Sequence, residues 1–197
     1  MAGFPAQNQD FEMDVRESFG NIALMSTLGA ALVRVSPGEV EIALPFRAEL
    51  TQHHGFMAAA VLTAIADVAC GYAAMSLMPA GASVLTVEYK VNFLAPAQGE
   101  RMVARARVVR PGRTVTACAG DVFAVIGGQE RLVATMLATL VQAGGERTAS
   151  PAEGKDRTCH PAHEHGTNRP LRKARPWCVC RGRGLRARLR EMTGFAR

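Results

Sequence analysis

Aromatic residues are scarce: one Trp, two Tyr and eight Phe make up 6% of 197 residues. That leaves no aromatic interleaving of the kind that stacks bases in single-stranded nucleic-acid binders. No glycine-rich phosphate loop and no G-x-S-x-G elbow occurs, so neither P-loop phosphate chemistry nor an elbow-borne serine nucleophile is expected. The N-terminus, MAGFPAQNQDFEMDVRESFG, lacks a basic start followed by an apolar stretch, so no secretory leader is expected. Five cysteines, an odd number without framework spacing, argue for a reducing cytoplasm. Cys159, His160, His163, His165, Cys178 and Cys180 are metal-ligating types without finger spacing, and no structural metal is expected from them.

What is present is a composition of 48% hydrophobic and 20% charged residues, enough for one ordinary domain with an appendage. The net charge of +6 is unevenly spread. Residues 1–143 carry ten Lys and Arg against twelve Asp and Glu; residues 144–197 carry thirteen against five. The second stretch is rich in Gly, Pro and Arg and has no sustained apolar period. It reads as a disordered basic tail, 144–197, behind a domain at 1–143. Its run RGRGLRARLR would hold polyanions in a salt-sensitive way, and a nucleic-acid role is not expected.

The most informative segment is QHHGFMAAAVLTAIADVACGYAAMSLM, residues 52–78. It is apolar and alanine-rich, with one carboxylate, Asp67, at its middle. A membrane span would carry that acid near the bilayer centre at roughly 2.5–3.5 kcal/mol, with little from Ala, Gly and Thr to offset it. The segment therefore reads as a soluble core helix. Its small residues let other backbones come close, and the acid needs a partner or a use. By residue pattern alone, Asp67 is either aimed at a ligand or paired inside the core.

Around this helix the chain reads simply. Phe11 to Ser26 has a helical pattern in two pieces broken near Gly20. Leu28 to Val35 and Glu39 to Leu44 flank Ser36-Pro37-Gly38 as a hairpin. After Pro79-Ala80-Gly81 come four strand-like runs: Ser83 to Phe93, Glu100 to Arg110, Arg113 to Val125 and Arg131 to Val141. The first alternates Val84, Thr86, Glu88, Lys90 and Asn92 against Leu85, Val87, Tyr89 and Val91. A long helix followed by a four-strand meander predicts an α+β fold, one curved antiparallel sheet around one helix. A sheet of this kind usually finds a second copy to protect its edge or open face.

Three phrases in this order, QHHGFMAAAVLTAIADVACGYAA, LTVEYKVNFLAPAQGE and VVRPGRTVTAC, resemble the hotdog-fold acyl-CoA thioesterases, within them the phenylacetate-pathway (PaaI-type) branch. The likeness spans about Phe19 to Val141. It implies a homodimer or dimer of dimers, active sites at the dimer interface, and hydrolysis of an acyl-CoA to a free acid and CoA without metal or organic cofactor. It further implies Asp67 as nucleophile or general base, the Ala59 N–H as oxyanion donor, and Gln52 as the amide that orients the water or the acid. Substrate contacts are implied for Asn92 and Phe93 along the acyl-pantetheine channel, and for Gly112 and Arg113 toward the CoA phosphates; His53 or His54, close in sequence to Ala58, either reaches the thioester, with His54 the candidate, or is a plain loop histidine. Met75, Leu77 and Met78 suggest an apolar acyl pocket and so a medium or long fatty acyl chain. The chain departs from the pattern at Ala58, where the family commonly has His, and at Gly71, where a Ser or Thr often follows the acid. Those departures keep a non-catalytic acyl-CoA or lipid-binding hotdog protein as the alternative.

Overall fold

The computed structural model describes residues 4–143; the basic segment at 144–197, with the disorder expected of it, lies outside the described residues. Two short helices, α1 (Phe11–Gly20) and α2 (Ala23–Leu28), open the fold and part where the sequence pattern breaks. The hairpin follows as β1 (Ala31–Ser36) and β2 (Glu39–Pro45), turning on Gly38 at φ 77°. A 3-10 turn, Ala48–Leu50, leads to the long helix α3 (Ala59–Met75). Four strands complete the chain: β3 (Ser83–Phe93), β4 (Arg101–Arg110), β5 (Val115–Ile126) and β6 (Gln129–Ala143).

The six strands form one antiparallel sheet in the order β1-β2-β4-β5-β6-β3. The α+β hotdog arrangement expected from the sequence is therefore observed, but the four-strand meander is not. Only β4, β5 and β6 run consecutively; β3 lies beyond β6 at the far edge. The cause is α3, which carries the chain away from β2 across one face of the sheet before β3 begins. The link from β3 to β4 then returns beside the start of α3, where the Met57 N–H donates to the Ala97 carbonyl at 2.8 Å.

The core lies between α3 and the inner face of the sheet. Leu62, Ile65, Ala66, Ala69, Cys70 and Ala73 from the helix are buried against Ile42, Leu44, Met102, Val122, Met136 and Leu140. The alanines let the sheet approach closely, and the limit is reached at Gly120. A Cβ there would stand 2.9 Å from Cys70 Sγ. No helix among the described residues is long and apolar enough to cross a membrane.

A β-bulge at Val87 resets the facing of β3. Thr86 pairs with Leu140, but Glu88 pairs with Thr139, Tyr89 with Ala138 and Val91 with Met136. Cross-strand partners share a face, and Leu140, Ala138 and Met136 are buried. Thr86, Tyr89, Val91 and Phe93 thus share the inner face, and Glu88, Lys90 and Asn92 the outer one. The uninterrupted alternation expected from the sequence fails at that residue because one position drops out of register.

Candidate active site

The start of α3 is held by backbone alone. Ala58 is its N-cap, with extended φ/ψ of −64° and 139° and no side-chain cap. The Ala58 N–H donates to the Leu50 carbonyl at 2.9 Å, and the Val61 N–H to the Ala58 carbonyl at 3.0 Å. The N–H groups of Ala59 and Ala60 find no acceptor among the described residues, and both residues are exposed. Two unpaired donors at the positive end of a 17-residue helix form a place where negative charge is stabilised.

Beside them opens a cleft of about 440 Å³, lined by Gln52, Phe56, Met57, Ala59, Leu62 and the segment Phe93–Ala97. No charged side chain lines it, so it suits an apolar group. Gln52 belongs to a tight turn in which Gly55 has φ 80° and donates its N–H to the Gln52 carbonyl at 2.9 Å. The Gln52 Oε1 accepts the N–H of His54, which leaves the amide NH₂ of Gln52 as a donor toward the cleft. The rings of His53 and His54 lie 3.9 Å apart on this exposed turn.

Asp67 sits two turns further along α3, half-buried on the flank of the helix beside β3. Its Oδ1 accepts a hydrogen bond from the Thr86 hydroxyl at 2.8 Å. Sequence spacing gives no hint of Thr86, which the alternation of the strand sets on one face with Glu88 and Asn92.

The residues singled out in the sequence fall into two groups. Gln52, His54, Ala59 and Phe93 gather at the N-terminal end of α3. Asp67 lies eight residues, about 12 Å of helix rise, away from Ala59. Arg113 and Gly112 lie further still, in the exposed β4–β5 turn, where the Gln142 N–H donates to the Thr114 carbonyl at 3.0 Å. Gly112 is required there, since a Cβ would stand 2.2 Å from the Val115 carbonyl oxygen. Asn92 pairs with Thr135 on the outer face of the sheet, away from the cleft that Phe93 lines. Met75, Leu77 and Met78 belong to the other end of α3, with Leu77 and Met78 buried in the core, and none lines the cleft. Phe56, Met57, Leu62 and Leu94 form its apolar walls instead.

Cysteine chemistry is ruled out on physical grounds for the two thiols in the described core. Burial pushes the Cys118 thiol up to about 12 and, with the neighbouring Cys118, Asp67 and Asp121, raises Cys70 further. Neither forms a thiolate near neutrality.

The thioesterase superfamily model matches residues 54–130, a span that contains the α3 N-terminus, Asp67 and Thr86. A protein of Halobacterium salinarum, named provisionally as an esterase, is 34% identical over 124 residues, covering 58% of this chain and 78% of that protein. The crystal structure of a thioesterase family protein from Silicibacter pomeroyi is 50% identical, with a TM-score of 0.66 over 67% of this chain and 97% of that one. A second structure, from Ralstonia eutropha, is 28% identical, with a TM-score of 0.58 over 66% of this chain and 98% of that one. Its name provisionally gives a thioesterase related to phenylacetic acid degradation. An uncapped helix start beside an apolar cleft, an acid two turns on, and these likenesses agree: the chain belongs to the thioesterase superfamily and is a thioester hydrolase of the hotdog fold.

Proposed function

We propose that the protein hydrolyses medium- or long-chain acyl-CoA, within the PaaI-type branch of the superfamily, at sites built from two copies of the chain. The observation that carries this reading is the separation of the two groups. An attacking atom and an oxyanion donor must both lie about 3 Å from one reacting centre. Asp67 and the Ala59 N–H, about 12 Å apart along one rigid helix, cannot meet that condition within a single chain. A second copy related by a two-fold axis, with its α3 antiparallel and centred near Thr63, would bring Asp67 of one chain beside Ala59 of the other. Thr63 and Ala64, small and half-buried on that flank, leave room for the approach. The edge strand β3 supports the same partner: Leu85, Val87, Tyr89 and Phe93 are 46–59% exposed in the single chain.

In this arrangement the apolar acyl chain enters the cleft of Phe56, Leu62 and Phe93, and the thioester oxygen faces the free N–H of Ala59. Asp67 either takes a proton from water as the water oxygen bonds to the carbonyl carbon, or attacks that carbon itself and is freed by water afterwards. In both routes the carbonyl electron pair moves to the oxygen at the helix N-terminus, then returns as the C–S bond breaks. The CoA sulfur leaves with the C–S bonding pair and is protonated, by the proton Asp67 took from water in the first route and by one released from the water that hydrolyses the acyl–Asp67 anhydride in the second, giving CoA–SH and the free acid. Gln52 orients the water or the acid through its free NH₂. Arg113, from the chain that supplies Asp67, offers positive charge to the CoA phosphates.

Subunit complementation tests this directly. Asp67→Asn should lower thiol release from acyl-CoA by about 10²–10⁴-fold while leaving fold and binding intact. Gln52→Ala should also be slow. Mixing the two after mild dissociation should restore roughly a quarter of the wild-type rate, because half the dimers are mixed and each has one intact site. A well-folded Asp67→Asn protein with full activity would sink the catalytic assignment, and no recovery on mixing would sink the shared site. Saturable acyl-CoA binding without any thiol release by the wild-type chain would favour a binding protein instead.

A further inference from the structure

We propose that Glu88 and Lys90 select the partner and the register of the dimer: with two β3 edges antiparallel about a two-fold axis at Tyr89, each Glu88 meets the partner's Lys90. The inference rests on the two-copy site proposed above. Both side chains lie exposed on the outer face of β3, where Glu88 pairs with Thr139 and Lys90 with Leu137. Neither makes an ion pair among the described residues. A lone lysine on an edge strand would keep other strands away. A glutamate two residues before it turns that barrier into a self-complementary pattern, because residues directly opposite in an antiparallel pair share a face and interact.

Charge singles out one register. Opposed side chains share a face, so a two-fold axis between like strands passes through a residue rather than between residues. An axis at Glu88 sets glutamate against glutamate, and one at Lys90 sets lysine against lysine. An axis at Val91 puts Lys90 opposite Asn92 and leaves Glu88 without a cation; one at Val87 puts Glu88 opposite Thr86 and Lys90 opposite Val84. Of these five positions only Tyr89 pairs both charges, twice over by symmetry. The same axis sets Val87 against the partner's Val91.

The helix asks for that axis independently. Asp67 accepts from Thr86 at 2.8 Å, and a Cβ on Gly71, four residues on, would lie 3.8 Å from Val84. Four residues of helix, about 6 Å, thus match two strand positions, about 6.6 Å. In the other direction two ladder positions from Thr86 reach Tyr89, because Thr86 pairs with Leu140 and Tyr89 with Ala138 while Val87 drops out at the bulge. Four helix residues before Asp67 stands Thr63, the centre that brings Asp67 of one chain beside Ala59 of the other. An axis one residue away along β3 would slide the partner by about 6.6 Å, more than a helical turn, and part the acid from the oxyanion donor.

The test is a charge exchange in the full-length protein. Glu88→Lys sets lysine against lysine at both contacts, and Lys90→Glu sets glutamate against glutamate. Each alone should raise the dimer dissociation constant about tenfold or more in sedimentation at low salt, and less at high salt. Both changes in one chain restore the pairing and should return the dimer to wild-type strength. Mixing the two single variants should do the same, now as a mixed dimer. Complementation sharpens with it: Glu88→Lys with Asp67→Asn, mixed with Lys90→Glu with Gln52→Ala, should reach about half the wild-type rate rather than a quarter, since every dimer then holds one intact site. Singles that dimerise as wild type, a double variant no stronger than the singles, or a mixture that recovers nothing would each overturn the register. With a wild-type dimer those outcomes leave the shared site standing. A wild-type chain that hydrolyses acyl-CoA as a monomer overturns both readings together.

Discussion

The two edges of the sheet are built to opposite ends. Strand β1 is six residues long, bulged at Val33, carries Arg34 and packs beside α1. Short length, a bulge, charge and cover are the usual ways of keeping an edge from pairing. Strand β3 is eleven residues long and has large apolar side chains exposed on both faces. Its bulge serves the inner face rather than blunting the edge. On the proposed dimer, one edge ends the sheet and the other continues it, with the acid beside the one that continues.

The comparison would break most visibly through charge. Leu85→Lys with Tyr89→Lys should convert the proposed dimer to monomer and lower thiol release by at least about 10²-fold, since each shared site would lose either its acid or its oxyanion donor. Lys at Val33 on β1 should change neither. Sedimentation and a thiol-release assay on both variants decide it, and dissociation by the β1 change alone would reverse the assignment of the edges.

Between the edges the sheet tolerates little, and Gly120 sharpens that contrast. Gly120→Ala should lower stability by about 1–3 kcal/mol, because Cys70 Sγ is already 2.9 Å from where the new Cβ must go. Cys70→Ala in the same chain should recover much of the loss in chemical denaturation. A neutral Gly120→Ala would mean that α3 shifts freely, against the rigid helix on which the shared site depends.

The smallest effect belongs to the outer face. Arg105 holds Glu41 at 2.7 Å and both oxygens of Glu130 at 2.6 and 2.7 Å, with its guanidinium 5.2 Å from the centre of the Phe123 ring. Those hydrogen bonds hold the Glu130 carboxyl below its ordinary value of 4.5. A depressed carboxyl stabilises the fold above its unfolded value and loses that contribution as pH falls. Glu130→Gln should therefore cost under about 1 kcal/mol at neutral pH, since the pair is partly exposed, and progressively less as the pH is lowered below 4.5. Thermal midpoints across that range check it.

Most of the fold was legible because its signals are local. Turn residues and strand periods mark the later strands to within two residues, and the break near Gly20 falls between α1 and α2. But β1 begins three residues after the expected Leu28, and α3 begins only at Ala59, because residues 52–58 form a turn and an extended lead-in instead of helix. The place of β3 was not legible, because consecutive strands are usually neighbours and only the path of α3 sends this one to the far edge. The bulge was hidden for a different reason. The sequence VLTVEYKVNF alternates without interruption, and only pairing with β6 reveals which residue drops out. Of the candidate site, Gln52, Ala59, Asp67 and Phe93 are named by a family resemblance, and their roles are proposals. Thr86 is not, since a contact between helix and strand leaves no spacing to read. Met75, Leu77 and Met78, from which the sequence suggests an apolar acyl pocket, do not line the cleft, because they stand at the far end of α3, about four turns from Ala59.

Ala58 leaves the first turn of α3 without a side-chain cap. Aspartate or serine there would satisfy a free N–H and add about 0.5–2 kcal/mol of stability. On the proposed mechanism that same oxygen would compete with the substrate for the oxyanion position, and a carboxylate would set negative charge against it. Selection for thermal robustness alone would thus drift toward a capped and slower protein, and position 58 is where an engineer should expect the two goals to part.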